Sequence, residues 1–154
     1  MSPPGRKSYR RHLADWDRTN TEAGSPRAHS ARPPAPDEYV PWRRISSPVI
    51  WHFDLVEYAR GRELPDGFVG GEAHRQLVEC AADVAAWTND LFSAPKELSR
   101  EERCNLVAVL AHHHGTGVQE AALATVERIG ERVRDFLDAR AALLAGGGAD
   151  PAGT

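Results

Sequence analysis

Only two cysteines, Cys80 and Cys104, occur in 154 residues, and no metal-type spacing relates them. That scarcity excludes a disulfide scaffold and a cysteine-based zinc site; the pair reads as free thiols of a reducing compartment. Charge of one sign is also lacking. Nineteen Lys and Arg stand against 22 Asp and Glu, a net charge of -3 with a pI near 6.2. There is then no electrostatic case for nucleic acid or for an acidic membrane as partner. No apolar run approaches the roughly 20 residues that span a bilayer. The basic start "MSPPGRKSYRRH" leads into no apolar segment, so it makes no secretory signal, and a cytoplasmic protein is expected. Period-two alternation, internal repeats, a Gly-rich phosphate loop followed by Lys-Ser/Thr and a nucleophile–His–Asp arrangement are all missing. What is present is an ordinary globular composition, 41% hydrophobic and 27% charged, in a chain long enough to bury one core.

The organisation reads as all-α. "KSYRRHLADWDRTNTEA" sets Tyr9, Leu13 and Trp16 at helical spacing and gives out at Gly24. "GSPRAHSARPPAP", with four prolines in 13 residues, is a loop. "DEYVPWRR" predicts one or two helical turns opened by Asp37 as N-cap. Pro48 pushes Ser47 out of the α region and so marks a break, after which "VIWHFDLVEYARG" resumes as helix to Gly61. A turn-rich "RELPDGFVGG" precedes a long helix from about Glu72 to Leu98. Leu77, Ala81, Val84 and Ala85 form its apolar stripe and Pro95 lies inside it. "NLVAVLAHHHG" is a short helix stopped by Gly115, and a last helix runs from near Val118 to about Ala145. Residues 1–7 are expected to be disordered, 8–145 to form the domain, and 146–154 to be a flexible tail.

Within the long helix, Asn89, Ser93 and Glu97 recur every four residues and fall within an arc of about 80°. An amide, a hydroxyl and a carboxylate are hard oxygen donors. They suit Mg²⁺, which keeps waters or takes phosphate oxygens at its other positions, and they do not suit zinc. The same residues on the same spacing also suit a solvated helix face, and spacing alone leaves both readings open. His112, His113 and His114 fan out by about 100° each and cannot converge on one ion. Before Gly115 they read as cations favoured at a helix C-terminus. Trp51, Trp87, Phe53 and Phe92 could line a cavity or simply pack.

The nine residues "NDLFSAPKE" resemble the second metal-binding motif of class I terpene synthases, Asn-Asp, two residues, Ser, two residues, a basic residue and Glu. Asn89, Asp90, Ser93, Lys96 and Glu97 match it. The resemblance implies that Asn89, Ser93 and Glu97 hold one Mg²⁺ on a substrate diphosphate and that Lys96 faces the diphosphate. Asp90 points about 100° away and is expected in a salt bridge. Upstream, "PDEYVPWRRISSPVIWHFDLVEYARGRELP" resembles the family's segment with a diphosphate-sensing arginine before a broken helix. Arg43 lies 46 residues before Asn89, about the family's separation, and Arg44 is the neighbouring candidate. Arginine suits the role because its planar fork engages phosphate oxygens two at a time. Ser46 and Ser47 take the linker and effector positions at the break, where the family often has Gly for the second. The likeness to bacterial sesquiterpene cyclases runs over roughly residues 8–140 and implies an isoprenoid-synthase helical bundle.

Two family features have no counterpart in these residues. No cluster of adjacent aspartates precedes Arg43; Asp15 and Asp17 are too close to it. No Arg-Tyr pair follows Glu97, and no tyrosine at all occurs there. The chain therefore resembles the second-half core of a synthase, a partial domain of about half the family's length. The resemblance implies Mg²⁺-dependent ionisation and cyclisation of a prenyl diphosphate in the intact relative, with farnesyl diphosphate as the substrate its flanks suggest. Enzymatic activity of this chain by itself is not expected. A complementing half-domain or a homo-oligomer is the partner such a half would need. The alternative is a catalytically inactive helical remnant, or the accessory half of a split synthase acting through protein association.

Overall fold

The computed structural model describes residues 2–21, 32–65, 67–69 and 71–146. Six helices follow in order: α1 (Pro3–Asn20), α2 (Pro36–Ser46), α3 (Val49–Arg60), α4 (Glu72–Ser99), α5 (Leu106–His114) and α6 (Val118–Gly146). Among the described residues there is no strand, so the chain is all-α as its periodicity predicts. Most of the expected loop over 24–36, the stop at Gly24 and residues 147–154 of the expected tail lie outside the described residues.

Local chemistry sets the boundaries. α1 opens at Pro3, so residues 3–7, expected to be disordered, are helical. Ser2 explains the difference: its Oγ accepts the Gly5 N–H at 3.1 Å, and Pro3 and Pro4 fill first-turn positions that need no donor. α2 is longer than its expected one or two turns and starts from Ala35 rather than Asp37. The Glu38 carboxylate accepts the Ala35 N–H at 3.2 Å, and the helix continues through Pro41 because fully buried Tyr39 anchors that turn. Ser47 is extended at φ −78°, ψ 145°, which is the break that Pro48 dictates. Gly61 and Gly115, at φ +62° and +65°, end α3 and α5 in the left-handed conformation that favours glycine.

α4 is the spine. It packs along α6 on one side and touches α2, α3 and α5, while α1 lies over α2 and α3. The core joins Tyr39, Ala86, Trp87 and Ala94 to Leu106, Val107, Val109 and Leu110 of α5 and Ala121 of α6. Each fully buried leucine there stabilises by about 1.5–3 kcal/mol. The buried face of α4 differs from the expected stripe. Cys80, Asp83, Trp87, Asp90 and Ala94 are buried, whereas Leu77, Ala81 and Val84 are only partly covered and Ala85 is exposed. Two aspartates sit on the inner seam because arginines neutralise them, and a hydrophobicity pattern does not register such positions.

Candidate functional site

The inner seam of α4 positions the candidate residues. Asp90, 1% exposed, is the hub. Its Oδ1 accepts from Arg43 Nε at 2.9 Å, and its Oδ2 accepts from Tyr39 Oη at 2.5 Å and from Leu106 N at 3.1 Å. The expected salt bridge of Asp90 is therefore present, at 2.8 Å to Arg43 Nη2. Burial pushes the Asp90 carboxyl above the usual carboxylate range, and Arg43 and the hydrogen bonds only partly offset it. Burial, and then the Asp90 charge, push the Tyr39 phenol well up. Burial opposes the charge on the Arg43 guanidinium, but Asp90, Tyr39 and Glu97 together raise it above its ordinary value.

This hub aims Arg43 at the neighbouring face of α4. Its Nη2 donates to Asn89 Oδ1 at 2.9 Å. One turn on, the Ser93 hydroxyl lies 3.4 Å from the Asp90 carbonyl and 3.4 Å from Asn105 Nδ2. A further turn on, Glu97 Oε2 accepts from Asn105 Nδ2 at 2.9 Å. Asn89, Ser93 and Glu97 thus share one face, tied at one end by Arg43 and at the other by Asn105. Asn89 is exposed while Ser93 and Glu97 are half-buried, so the face is open to a ligand. Lys96 is exposed, two turns beyond Asn89 and within about 20° of it around the axis.

The donor set fits a hard divalent cation: an amide oxygen, a hydroxyl and a carboxylate, with no sulfur or imidazole. Among the described residues no cluster of three His, Cys, Asp or Glu could hold a metal, which leaves this mixed set as the candidate. His112, His113 and His114 close α5 at its C-terminus, with His113 against the Pro34 carbonyl at 2.9 Å.

Arg44, Ser46 and Ser47 have hydrogen-bond partners off the Asn89 face. Arg44 is turned away from Asn89. It grips Asp83 through Nε and Nη2, both at 2.8 Å, and reaches Glu79 at 3.0 Å. Ser46 and Ser47 are buried at the helix break, where Ser46 Oγ donates to the Arg43 carbonyl at 3.3 Å and Ser47 Oγ accepts from Val49 N at 3.4 Å. Asn20 Nδ2 also donates to the Ser46 carbonyl at 3.0 Å, so α1 braces the break.

A cavity of about 490 Å³ lies between α1, α2, α3 and the first half of α4, with Arg44 in its lining. Ser47, Trp51 and Phe53 line it, but Asn89, Ser93 and Glu97 do not. Trp87 packs in the core instead, and Phe92 is 81% exposed. Sequence reasoning missed Asn105, taking it as the first residue of a helix. Its signal was available, since Asn directly before the apolar run "LVAVL" is a cap signature. Arg132, which also reaches Asp83, carried no such signal.

Residues 1–135 match the family model described as terpene synthase family 2, C-terminal metal binding. The chain is 37% identical over 105 residues to epi-isozizaene synthase of Streptomyces coelicolor, covering 68% of this chain and 29% of that one. It is 35% identical over 113 residues to 4-epi-cubebol synthase of Streptosporangium roseum, described as cyclizing (2E,6E)-farnesyl diphosphate, over 73% of this chain and 34% of that one. Hedycaryol synthase in complex with nerolidol shares the fold at a TM-score of 0.81 and 25% identity, over 99% of this chain and 51% of that one. The chain spans about a third of these curated relatives and about half of that solved structure. With a family match over most of its length and the isoprenoid-synthase helical fold, the chain belongs to terpene synthase family 2, in its C-terminal metal-binding region.

Proposed function

We propose that this chain is the metal-binding half of a class I terpene synthase domain, working in the Mg²⁺-dependent ionisation and cyclisation of a prenyl diphosphate. One observation carries the reading: Asn89, Ser93 and Glu97 stand on one open face of α4 with Arg43 turned onto its near end. In this reading the three side chains hold Mg²⁺, and Arg43 and Lys96 contact the diphosphate. Bound there, the ion would supply Lewis-acid stabilisation of the leaving diphosphate. Arg43 Nε and Nη2 are engaged by Asp90 and Asn89, and in this reading the remaining nitrogen, Nη1, would meet a phosphate oxygen. Asp90 and Tyr39 fix the guanidinium plane so that contact costs little reorganisation. Ser46 and Ser47 shape the break next to Arg43, and their hydroxyls are used in holding it. Arg44 has a different role in this structure: it is committed to Asp83.

Farnesyl diphosphate is the substrate we assign to the complete domain, on the description of the Streptosporangium relative. Ionisation also needs an opposing, aspartate-bearing wall, which a complementing half-domain or a second subunit would supply. Cys80 and Cys104 are buried and form no disulfide, which suits a reducing cytoplasm.

Calorimetric titration of the full chain with Mg²⁺ and inorganic diphosphate tests the site. Joint uptake is expected, and Asn89→Ala with Glu97→Ala should weaken it about 100-fold, as lost charge-assisted contacts predict. Uptake of equal strength in that double variant would sink the assignment.

A further inference from the structure

Asn105 is fully buried, lies outside the nine-residue motif, and yet touches that motif at three points. It reaches them because the chain reverses after α4. Glu101 takes a left-handed φ of +58°, and Glu102 N donates back to the Glu97 carbonyl at 2.9 Å. The reversal returns Asn105 to the α4 surface as the N-cap of α5, where its Oδ1 accepts the Val107 N–H at 2.9 Å. Its Nδ2 donates to the Asp90 carbonyl at 2.7 Å and to Glu97 Oε2 at 2.9 Å, and the Ser93 hydroxyl lies at 3.4 Å.

Chemistry fixes the orientation of this amide. The Asp90 carbonyl and the Glu97 carboxylate only accept, and the Val107 N–H only donates. A flipped amide would face two oxygens with a third and orphan the Val107 donor. The two Nδ2 hydrogens are therefore directed at the Asp90 carbonyl and at Glu97.

From this geometry we infer that Asn105 is a positioning residue for the cation: it holds the Glu97 carboxylate in register with Asn89 and Ser93 before an ion arrives. The inference rests on the metal site proposed above. A neutral donor suits the task. It removes rotamer freedom from Glu97 without the positive charge that would compete with a divalent ion for the carboxylate. It occupies one Glu97 oxygen and leaves the other to an ion. The mirror arrangement at the near end, Arg43 on Asn89, brings a positive charge, which suits an anionic ligand instead.

The test uses the full chain with Mn²⁺ as probe and inorganic diphosphate as co-ligand, reading free Mn²⁺ by its paramagnetic resonance signal. Asn105→Ser and Asn105→Thr each keep an oxygen to cap Val107 but no donor long enough to reach Glu97. Either should raise the Mn²⁺ dissociation constant about tenfold or more, the usual effect of losing an outer-shell partner. Val109→Ala loosens α5 while keeping its backbone bond to the Asn105 carbonyl, and should leave that constant within about twofold. Far-ultraviolet dichroism confirms that the variants compared are folded. Unchanged Mn²⁺ affinity in a folded Asn105 variant overturns the inference, as does an equal loss in Val109→Ala, which would reduce Asn105 to a structural cap. Failure of the metal reading looks different: wild-type affinity would then be indifferent to Asn89→Ala and Glu97→Ala, and both conclusions would fall.

Discussion

Adjacent arginines on α2 have opposite fates. Arg43 is held by Asp90 and turned to Asn89, whereas Arg44 is held by Asp83 and Glu79. Sequence left both as diphosphate candidates because consecutive helix residues differ by only about 100° and nothing local says which side the site is on. The expected consequence is a clean separation. Arg43→Lys should weaken diphosphate uptake about tenfold, because an ammonium cannot reproduce the planar fork. Arg44→Lys should leave uptake within about twofold while lowering stability; titration and urea unfolding of both variants check this. Asp90 adds a pH dependence. Burial holds its folded pKa above the unfolded value of about 3.9, so the folded state binds that proton more tightly. Stability from this group is full below about pH 3.9 and is lost as pH climbs through the raised value. Asp90→Asn removes the titration. The stability of wild type relative to that variant should therefore fall as pH rises from 4 in paired urea unfolding curves. A gap that grows in favour of wild type would mean that Arg43 outweighs burial.

Between elements, the main tie beyond apolar contact is Asp83. Only 1% exposed, it receives both Arg44 nitrogens at 2.8 Å and Arg132 Nε and Nη2 at 2.9 and 2.7 Å, joining α2, α4 and α6 through one carboxylate. Removing it leaves Arg44 to Glu79 at 3.0 Å and Arg132 to Asp135 at 3.1 Å, so the charge tie from α4 to α6 is lost. Asp83→Ala should cost about 1.5–3 kcal/mol in urea unfolding, the range for lost hydrogen bonds to a charged group. The folded remainder should still take up metal and diphosphate, since Asp83 lies more than a turn and a half below Asn89 on α4. This tie also shows where helix reading stops. Pro48, Gly61 and Gly115 act through the local backbone, so the α2–α3 break and two helix ends were legible. The buried face of α4 was not, because Asp83 and Asp90 occupy it only by virtue of arginines 39 and 47 residues earlier in the chain. Pairing over such separations leaves no mark in a sliding pattern. α2 was underestimated for the same reason: what carries it past Pro41 is tertiary burial of Tyr39.

For the whole molecule, the all-α class and the four-residue rhythm of Asn89, Ser93 and Glu97 were legible because both depend on helical period alone. Their joint support by Arg43 and Asn105 needed the fold. That support is one-sided, and the asymmetry has a kinetic consequence. An allylic diphosphate ionises at a useful rate only when the departing negative charge is neutralised, and each 1.36 kcal/mol withheld costs a factor of ten. In the proposed site α4 would offer the oxygens for one ion, and Arg43 and Lys96 two positive charges. No adjacent-aspartate cluster in these 154 residues could hold further ions. Binding without turnover is therefore the expected behaviour of the chain by itself. Incubated with farnesyl diphosphate and Mg²⁺, it should release diphosphate no faster than the Asn89→Ala, Glu97→Ala variant. Adding the aspartate-bearing first half of a related synthase as a separate polypeptide should raise release above that control, and only with Asn89 and Glu97 intact. Volatile product analysis beside a diphosphate assay reads both arms. Release by the chain alone above its ligand-deficient variant would show that one wall of the site suffices for ionisation.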